Sequence, residues 1–123
     1  MYYEDQSALH VVGQLLIAFL FLGTGIVNAT TKFQQHLDRM VAASVPFARA
    51  ALMLGFAMQF AGGFMLLFDY RTPVGAAILI VFLIAATAIF HRFWLVDDPL
   101  RRHFHVSFIF SNCGLVGGLL LLM

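Results

Sequence analysis

The stretch ALHVVGQLLIAFLFLGTGIVN, residues 8–28, decides the fold, because it is long, strongly apolar and contains no Asp, Glu, Lys or Arg. At about 1.5 Å per residue, a helix of this length spans roughly 30 Å, which matches the hydrocarbon core of a bilayer. Three further runs of similar length and few charges occupy residues 46–68, 73–94 and 104–123. The sequence therefore predicts an all-α integral membrane four-helix bundle that forms a single domain, residues 1–123.

The composition supports the same class. The chain has 123 residues, of which 62% are hydrophobic and 11% are charged. An ordinary soluble domain is about 45–50% apolar and about 25% charged. The charges are too few to cover a surface that faces water, so the lipid bilayer is the expected partner. The formal net charge is +1, and no basic patch is interleaved with aromatic residues, so we expect no nucleic-acid partner.

Two local signals lie between the long runs. The segment 29–45 has apolar residues at helical spacing, namely Phe33, Leu37, Met40 and Val41. This pattern predicts a short amphipathic helix on the membrane surface. Before the fourth run, Asp98 precedes Pro99, an order typical of a helix N-cap followed by a proline in the first turn.

The distribution of Lys and Arg predicts the orientation of the chain. Four spans place both termini and the 69–72 turn on one side, where Arg71 stands alone. The opposite side holds Lys32, Arg39, Arg92, Arg101 and Arg102. Loops rich in Lys and Arg stay in the cytoplasm. We therefore expect the loops 29–45 and 95–103 to be cytoplasmic and both termini to lie outside.

The segment HRFWLVDDPLRRHFH, residues 91–105, concentrates five charged residues and three of the five histidines. A metal or haem site is one interpretation. However, two axial histidines must stand at matching depth in the membrane, and His103 and His105 lack the i, i+4 spacing of ligands on one helical face. We expect no metal and no intrinsic cofactor. The alternative is that this segment links the third and fourth of the four apolar runs. Its predicted interface residues are Arg92, Trp94, Arg101 and Arg102. The arginines can pair with Asp97 and Asp98, with anionic lipid or with a partner's carboxylates, and Trp94 fits an aromatic belt at the membrane surface.

Polar and small residues inside the runs allow two interpretations. They can be packing seams, since small residues let membrane helices approach and amides hydrogen-bond between them. The stripe Ser107, Ser111, Gly114 and Gly118 of the last run is one such seam, and Cys113 is expected to be a small core residue. The other interpretation is a polar cavity that binds the head group of a quinone or a lipid. Its predicted lining residues are Gln14, Asn28, Gln59 and Asn112. The sequence contains no recognisable catalytic set.

Four segments resemble the DoxX family of small bacterial membrane proteins: FLFLGTGIVN (19–28), QFAGGFMLLFDYRTPVGAAIL (59–79), AIFHRFW (88–94) and FSNCGLVGGLLLL (110–122). The family is four-helical, which agrees with the runs above. Its members commonly carry Lys where Asn28 stands and Glu where Gln59 stands, so this sequence lacks that charge pair.

The resemblance also implies a location and a function. It implies the bacterial inner membrane and, because relatives occur with quinol oxidases and thiosulfate:quinone oxidoreductases, a link to quinone chemistry. The expected function is a non-catalytic accessory subunit of a membrane redox complex, bound to larger membrane subunits. A stand-alone assembly factor or chaperone is the alternative, and a quinone-binding oxidoreductase component is the third.

Overall fold

The computed structural model describes residues 6–42, 44–90 and 98–123, with Phe90 described by its backbone alone. These residues form five helices: α1 (Ala8–Thr31), α2 (Phe33–Ala42), α3 (Ala48–Leu67), α4 (Thr72–Phe90) and α5 (Pro99–Leu121). All except α2 are long and apolar enough to cross a membrane. The predicted all-α fold with four membrane-length helices is confirmed.

The start of α5 shows how local sequence sets a helix boundary. The Asp98 carboxylate accepts a hydrogen bond from the backbone N–H of Leu100, and Pro99 occupies the first helical position. The N-cap prediction is confirmed. Because the helix begins here, Arg101 and Arg102 lie exposed in the first turn of α5 and not in a connecting loop.

Two other residues of the predicted interface set, Arg92 and Trp94, lie outside the described residues. Their role in binding a partner stays a prediction.

The short helix α2 confirms the amphipathic pattern in the first connection. Met40 is buried, and the Phe33 ring stacks on Phe56 of α3 with 6.1 Å between centroids. The guanidinium of Arg49 lies 5.9 Å from the centroid of the same Phe33 ring, within the range of a cation–π contact. Val41 is exposed. The apolar face of α2 therefore packs against the end of the bundle.

Glycines allow α1, α3 and α4 to pack closely. A Cβ added to Gly62 would lie 2.6 Å from Leu79 Cγ and 3.1 Å from the carbonyl oxygen of Gly75 on α4. A Cβ added to Gly63 would lie 2.8 Å from Leu22 Cδ2 on α1. Real side chains do not tolerate such distances, so α3 uses adjacent glycines to contact a different helix on each side.

The fifth helix is the least buried of the four long ones. It packs mainly on α4, and Leu119 is its contribution to the buried core. The core residues are Ala18, Phe21, Leu66, Ala76, Leu79, Leu83 and Leu119. Near the end of α5, Gly118 approaches Ile17 of α1.

The predicted inward seam on α5 is wrong over most of its length. Ser107, Ser111 and Gly114 are exposed, and so is Cys113, which was expected in the core. The helix instead directs Asn112, with the apolar residues around it, toward α4. Because α5 packs against so little of the rest of the bundle, polarity along one stripe did not determine which stripe faces inward.

Candidate functional site: a cavity lined by amides

A cavity of about 530 Å³ lies inside the bundle, and all five helices contribute to its wall. This volume falls within the range of roughly 300–1,000 Å³ that is usual for small-molecule sites. The wall is mostly apolar. Its polar side chains are Thr24, Asn28, His36, Arg39, Gln59 and Asn112. No carboxylate stands among the wall residues in the described part of the chain.

The cavity occupies the half of the bundle that is closest to α2. Its wall uses residues within 20–28 of α1, 51–59 of α3 and 81–89 of α4. These segments lie next to one another because neighbouring helices run in opposite directions. The α2 residues His36 and Arg39 complete the wall and place a positive charge at this end.

The side of the cavity opens toward the surface that lipid would cover. Three apolar wall residues from three different helices are more than half exposed: Leu54 at 62%, Val81 at 57% and Phe108 at 51%. In a bilayer, such side chains contact acyl chains. A molecule with an apolar tail could therefore enter from the membrane, with its head inside the bundle and its tail among lipids.

Gln59 connects the cavity wall to α1. Its side chain is 3% exposed, and Nε2 donates to the carbonyl oxygen of Phe21 at 2.8 Å and to Thr24 Oγ1 at 2.9 Å. The Thr24 hydroxyl in turn donates to the carbonyl oxygen of Leu20 at 2.7 Å. Hydrogen bonds between helices satisfy polar groups that lipid cannot. The amide of Gln59 is thereby held in one orientation.

Two further amides lie in the same wall. Asn112 Nδ2 on α5 lies 2.9 Å from Thr87 Oγ1 on α4, which links these helices. Asn28 is partly buried, and its side chain has no hydrogen-bond partner among the residues that the structure describes. A free carboxamide offers both donors and an acceptor. Asn28 is therefore available to a bound molecule in either role.

Gln14, the fourth predicted lining residue, lies at the other end of the bundle. Its Nε2 donates to the carbonyl oxygen of Leu66 at 2.8 Å and to Asp69 Oδ1 at 3.1 Å. Its Oε1 accepts from His10 Nε2 at 2.9 Å. The side chain is 1% exposed. The structure thus brings Asn28, Gln59 and Asn112 around one cavity and places Gln14 in a separate polar cluster.

That cluster includes two residues that sequence reasoning missed, Asp69 and Thr72, which are 6% and 8% exposed. The hydroxyl of Thr72 donates to the Asp69 carboxylate. Asp69 has a φ of 52°, a left-handed conformation that Asp tolerates better than most residues. The DYRTP turn was visible in the sequence, but the burial of its carboxylate under α1 was not.

The polar residues at the α2 end of the cavity were also missed as lining residues. Thr24, His36 and Arg39 were not predicted to line a cavity, and Arg39 served only to predict the orientation of the chain. The spacing of His36 and Arg39, three positions apart on a short helix, places them on one face. That spacing was the available signal, but it did not show that the face would cover a cavity.

The model of one family, DoxX, matches residues 10–92, which is more than half of the chain. The chain belongs to the DoxX family. The match covers nearly all of α1 and the whole of α2, α3 and α4, and the cavity wall of this DoxX protein comes largely from these helices. The resemblance of residues 110–122 on α5 lies beyond the matched residues. Comparison with curated proteins gives no match, and neither does comparison with solved structures.

Proposed function

We propose that this DoxX protein is a non-catalytic accessory subunit of a quinone-linked redox complex in the bacterial inner membrane, and that its cavity binds the head of a quinone or a lipid. The observation that carries the proposal is the amide-lined cavity, open sideways to the lipid-facing surface. Its apolar wall suits a ring or an acyl chain, while the amides give it a few fixed hydrogen-bonding positions.

The uncharged amides of the wall support a neutral ligand head near Asn28 and Gln59. The two positions where this sequence departs from the DoxX family pattern, Asn28 and Gln59, both line the cavity. Uncharged amides there leave a polar wall that can be desolvated at moderate cost, whereas an unpaired buried charge costs far more. Arg39 supplies the positive charge of the wall at the α2 end, where a polar or anionic part of a ligand would be stabilised.

A cavity-filling substitution tests this part of the proposal. Gly55 lines the cavity, and a Cβ there would meet Phe82 at 3.7 Å, an ordinary contact. Gly55→Leu should therefore fill the cavity and abolish binding of an alkylated benzoquinone, measured by isothermal titration in detergent. Gly117→Leu is the matched control, because a Cβ at Gly117 meets no atom of the described residues within 4 Å. If both variants bind like the original protein, the cavity is not the binding site.

The exposed face of α5 supports the role of a subunit. Small residues on membrane helices allow another helix to approach closely, and Ser107, Ser111 and Gly114 present such a stripe outward. A larger membrane subunit packed there would cover it. The exposed Arg101 and Arg102 in the first turn of the same helix would meet that partner's carboxylates or anionic lipid.

Gentle extraction followed by mass spectrometry of co-eluting chains tests the partner. A stoichiometric partner with haem or flavin absorbance supports the accessory subunit. Gly114→Leu should release it, while Gly13→Leu on α1, also open to space, should not. Sub-stoichiometric and varied partners would contradict the subunit role and indicate an assembly factor.

A further inference from the structure

The orientation of the Gln59 amide is fixed by its partners. The carbonyl oxygen of Phe21 can only accept, so the side-chain atom 2.8 Å from it must be the amide nitrogen. The second N–H of that nitrogen faces Thr24 Oγ1 at 2.9 Å, whose own hydrogen is directed to the Leu20 carbonyl. Both N–H groups of Gln59 are therefore engaged, and its carbonyl oxygen is what remains.

That oxygen borders the cavity and has no hydrogen-bond partner among the described residues. Oε1 of Gln59 has no hydrogen bond within the described ranges, although the side chain is 3% exposed. Every fully covered side-chain nitrogen or oxygen among the described residues has a partner. The Oε1 atom is therefore not fully covered by protein. Because Gln59 lines the cavity, we take Oε1 to be accessible from the cavity.

An oxygen of this kind selects its ligand by hydrogen-bonding role. A carbonyl oxygen can only accept, so the matching ligand atom must carry a hydrogen. A quinone carbonyl placed there would set two acceptors against each other in a desolvated site. A hydroquinone hydroxyl would donate to Gln59 and give its side-chain oxygen a hydrogen-bond partner. Asn28, which can donate or accept, does not impose the same choice.

We infer that the cavity binds the reduced, hydroxyl-bearing form of a quinone in preference to the oxidised form, with a ring hydroxyl donating to Gln59 Oε1. This inference rests on the proposed function, because it specifies the ligand of the same cavity. It concerns binding alone and requires no electron transfer within the chain.

The test compares three alkylated ligands of similar shape on the purified protein under anaerobic conditions: a para-hydroquinone, its dimethyl ether and the para-benzoquinone. The hydroquinone should bind on the order of tenfold more tightly than either ligand that lacks hydroxyl hydrogens. Gln59→Met should remove the preference, so that the three ligands bind with an affinity ratio of about one. Gln14→Met, at the buried glutamine outside the cavity, should preserve the preference. If Gln59→Met fails to fold, the three-ligand comparison on the original protein still decides.

Two results would overturn the inference in different ways. Equal binding of the three ligands, or tighter binding of the quinone, would overturn the preference for the reduced form while the cavity remained a quinone site. If none of the three ligands binds, or if Gly55→Leu leaves their binding unchanged, the preference for the reduced form and the proposed function of the cavity are both overturned.

Discussion

Replacing Gln14 by Leu tests the polar cluster at the α3–α4 turn. Leucine has a similar volume, so the change leaves little empty space, and the expected loss comes from hydrogen bonds. The bond from Nε2 to the Leu66 carbonyl, 2.8 Å long, joins two neutral groups and contributes about 0.5–1.5 kcal/mol. The bond to the Asp69 carboxylate, 3.1 Å long, involves a group that can be charged and contributes about 1.5–3 kcal/mol. We therefore expect Gln14→Leu to lower the free energy of unfolding by about 2–4.5 kcal/mol.

The matched control is Gln34→Leu on α2. Gln34 Nε2 also donates to a carboxylate, Asp38 Oδ1, at 2.9 Å, but this pair is exposed and lies within one helix. Such a pair contributes about 0.2–0.5 kcal/mol. Unfolding in mixed micelles, followed by circular dichroism as the fraction of denaturing detergent rises, would measure both variants.

A double variant that combines Gln14→Leu with Asp69→Asn separates the contributions of the hydrogen bonds to the Leu66 carbonyl and to the Asp69 carboxylate. If the buried carboxylate accounts for most of the cost, Gln14→Leu should cost less in the Asp69→Asn background than in the original protein. The reasoning is refuted if Gln14→Leu is no more destabilising than Gln34→Leu.

Three further predictions follow from the fold. Gly62→Ala should destabilise the protein by about 1–3 kcal/mol because its Cβ would clash with Leu79, whereas Gly117→Ala, in open space, should be neutral or slightly stabilising in the same unfolding assay. Asp98→Ala should cost about 0.5–2 kcal/mol through loss of the N-cap of α5, and Asp98→Asn, which keeps an accepting oxygen, should restore most of it. The topology test starts from a Cys113→Ala variant. Tyr70→Cys should then react with an impermeant thiol reagent added outside intact cells, whereas Gln35→Cys should react only after lysis. The reverse pattern would invert the expected topology.

The helices could be predicted because their signals are local. The length and polarity of each long run can be read from that run alone. The apolar spacing in α2 lies within one short segment, and the start of α5 is marked by two adjacent residues, Asp98 and Pro99. The membrane class follows from the scarcity of charge. None of these features depends on how the helices are arranged around one another, so the sequence was sufficient for them.

The candidate site could be predicted only in part, because depth and rotation depend on packing. Gln14 and Asn28 share one stripe of α1, but at about 1.5 Å per residue they stand about 21 Å apart along the axis, too far for one small head group. The prediction from the sequence assigned the whole stripe to one cavity, whereas its two ends belong to two separate polar clusters. On α5, the small-residue stripe and Asn112 compete for the inward face, and only the packed structure shows that Asn112 faces α4.

The short connection between α3 and α4 has a consequence for the order in which the bundle assembles. The two helices are separated only by residues 68–71, so the Gly62–Gly75 contact closes between segments that are synthesised almost together. The bonds from Gln14 span 52 to 58 positions, so they require a much larger loop to close. Contacts between sequence neighbours form faster than distant ones. We therefore expect α3 and α4 to enter the membrane as a preformed hairpin, onto whose turn α1 then docks through its buried glutamine.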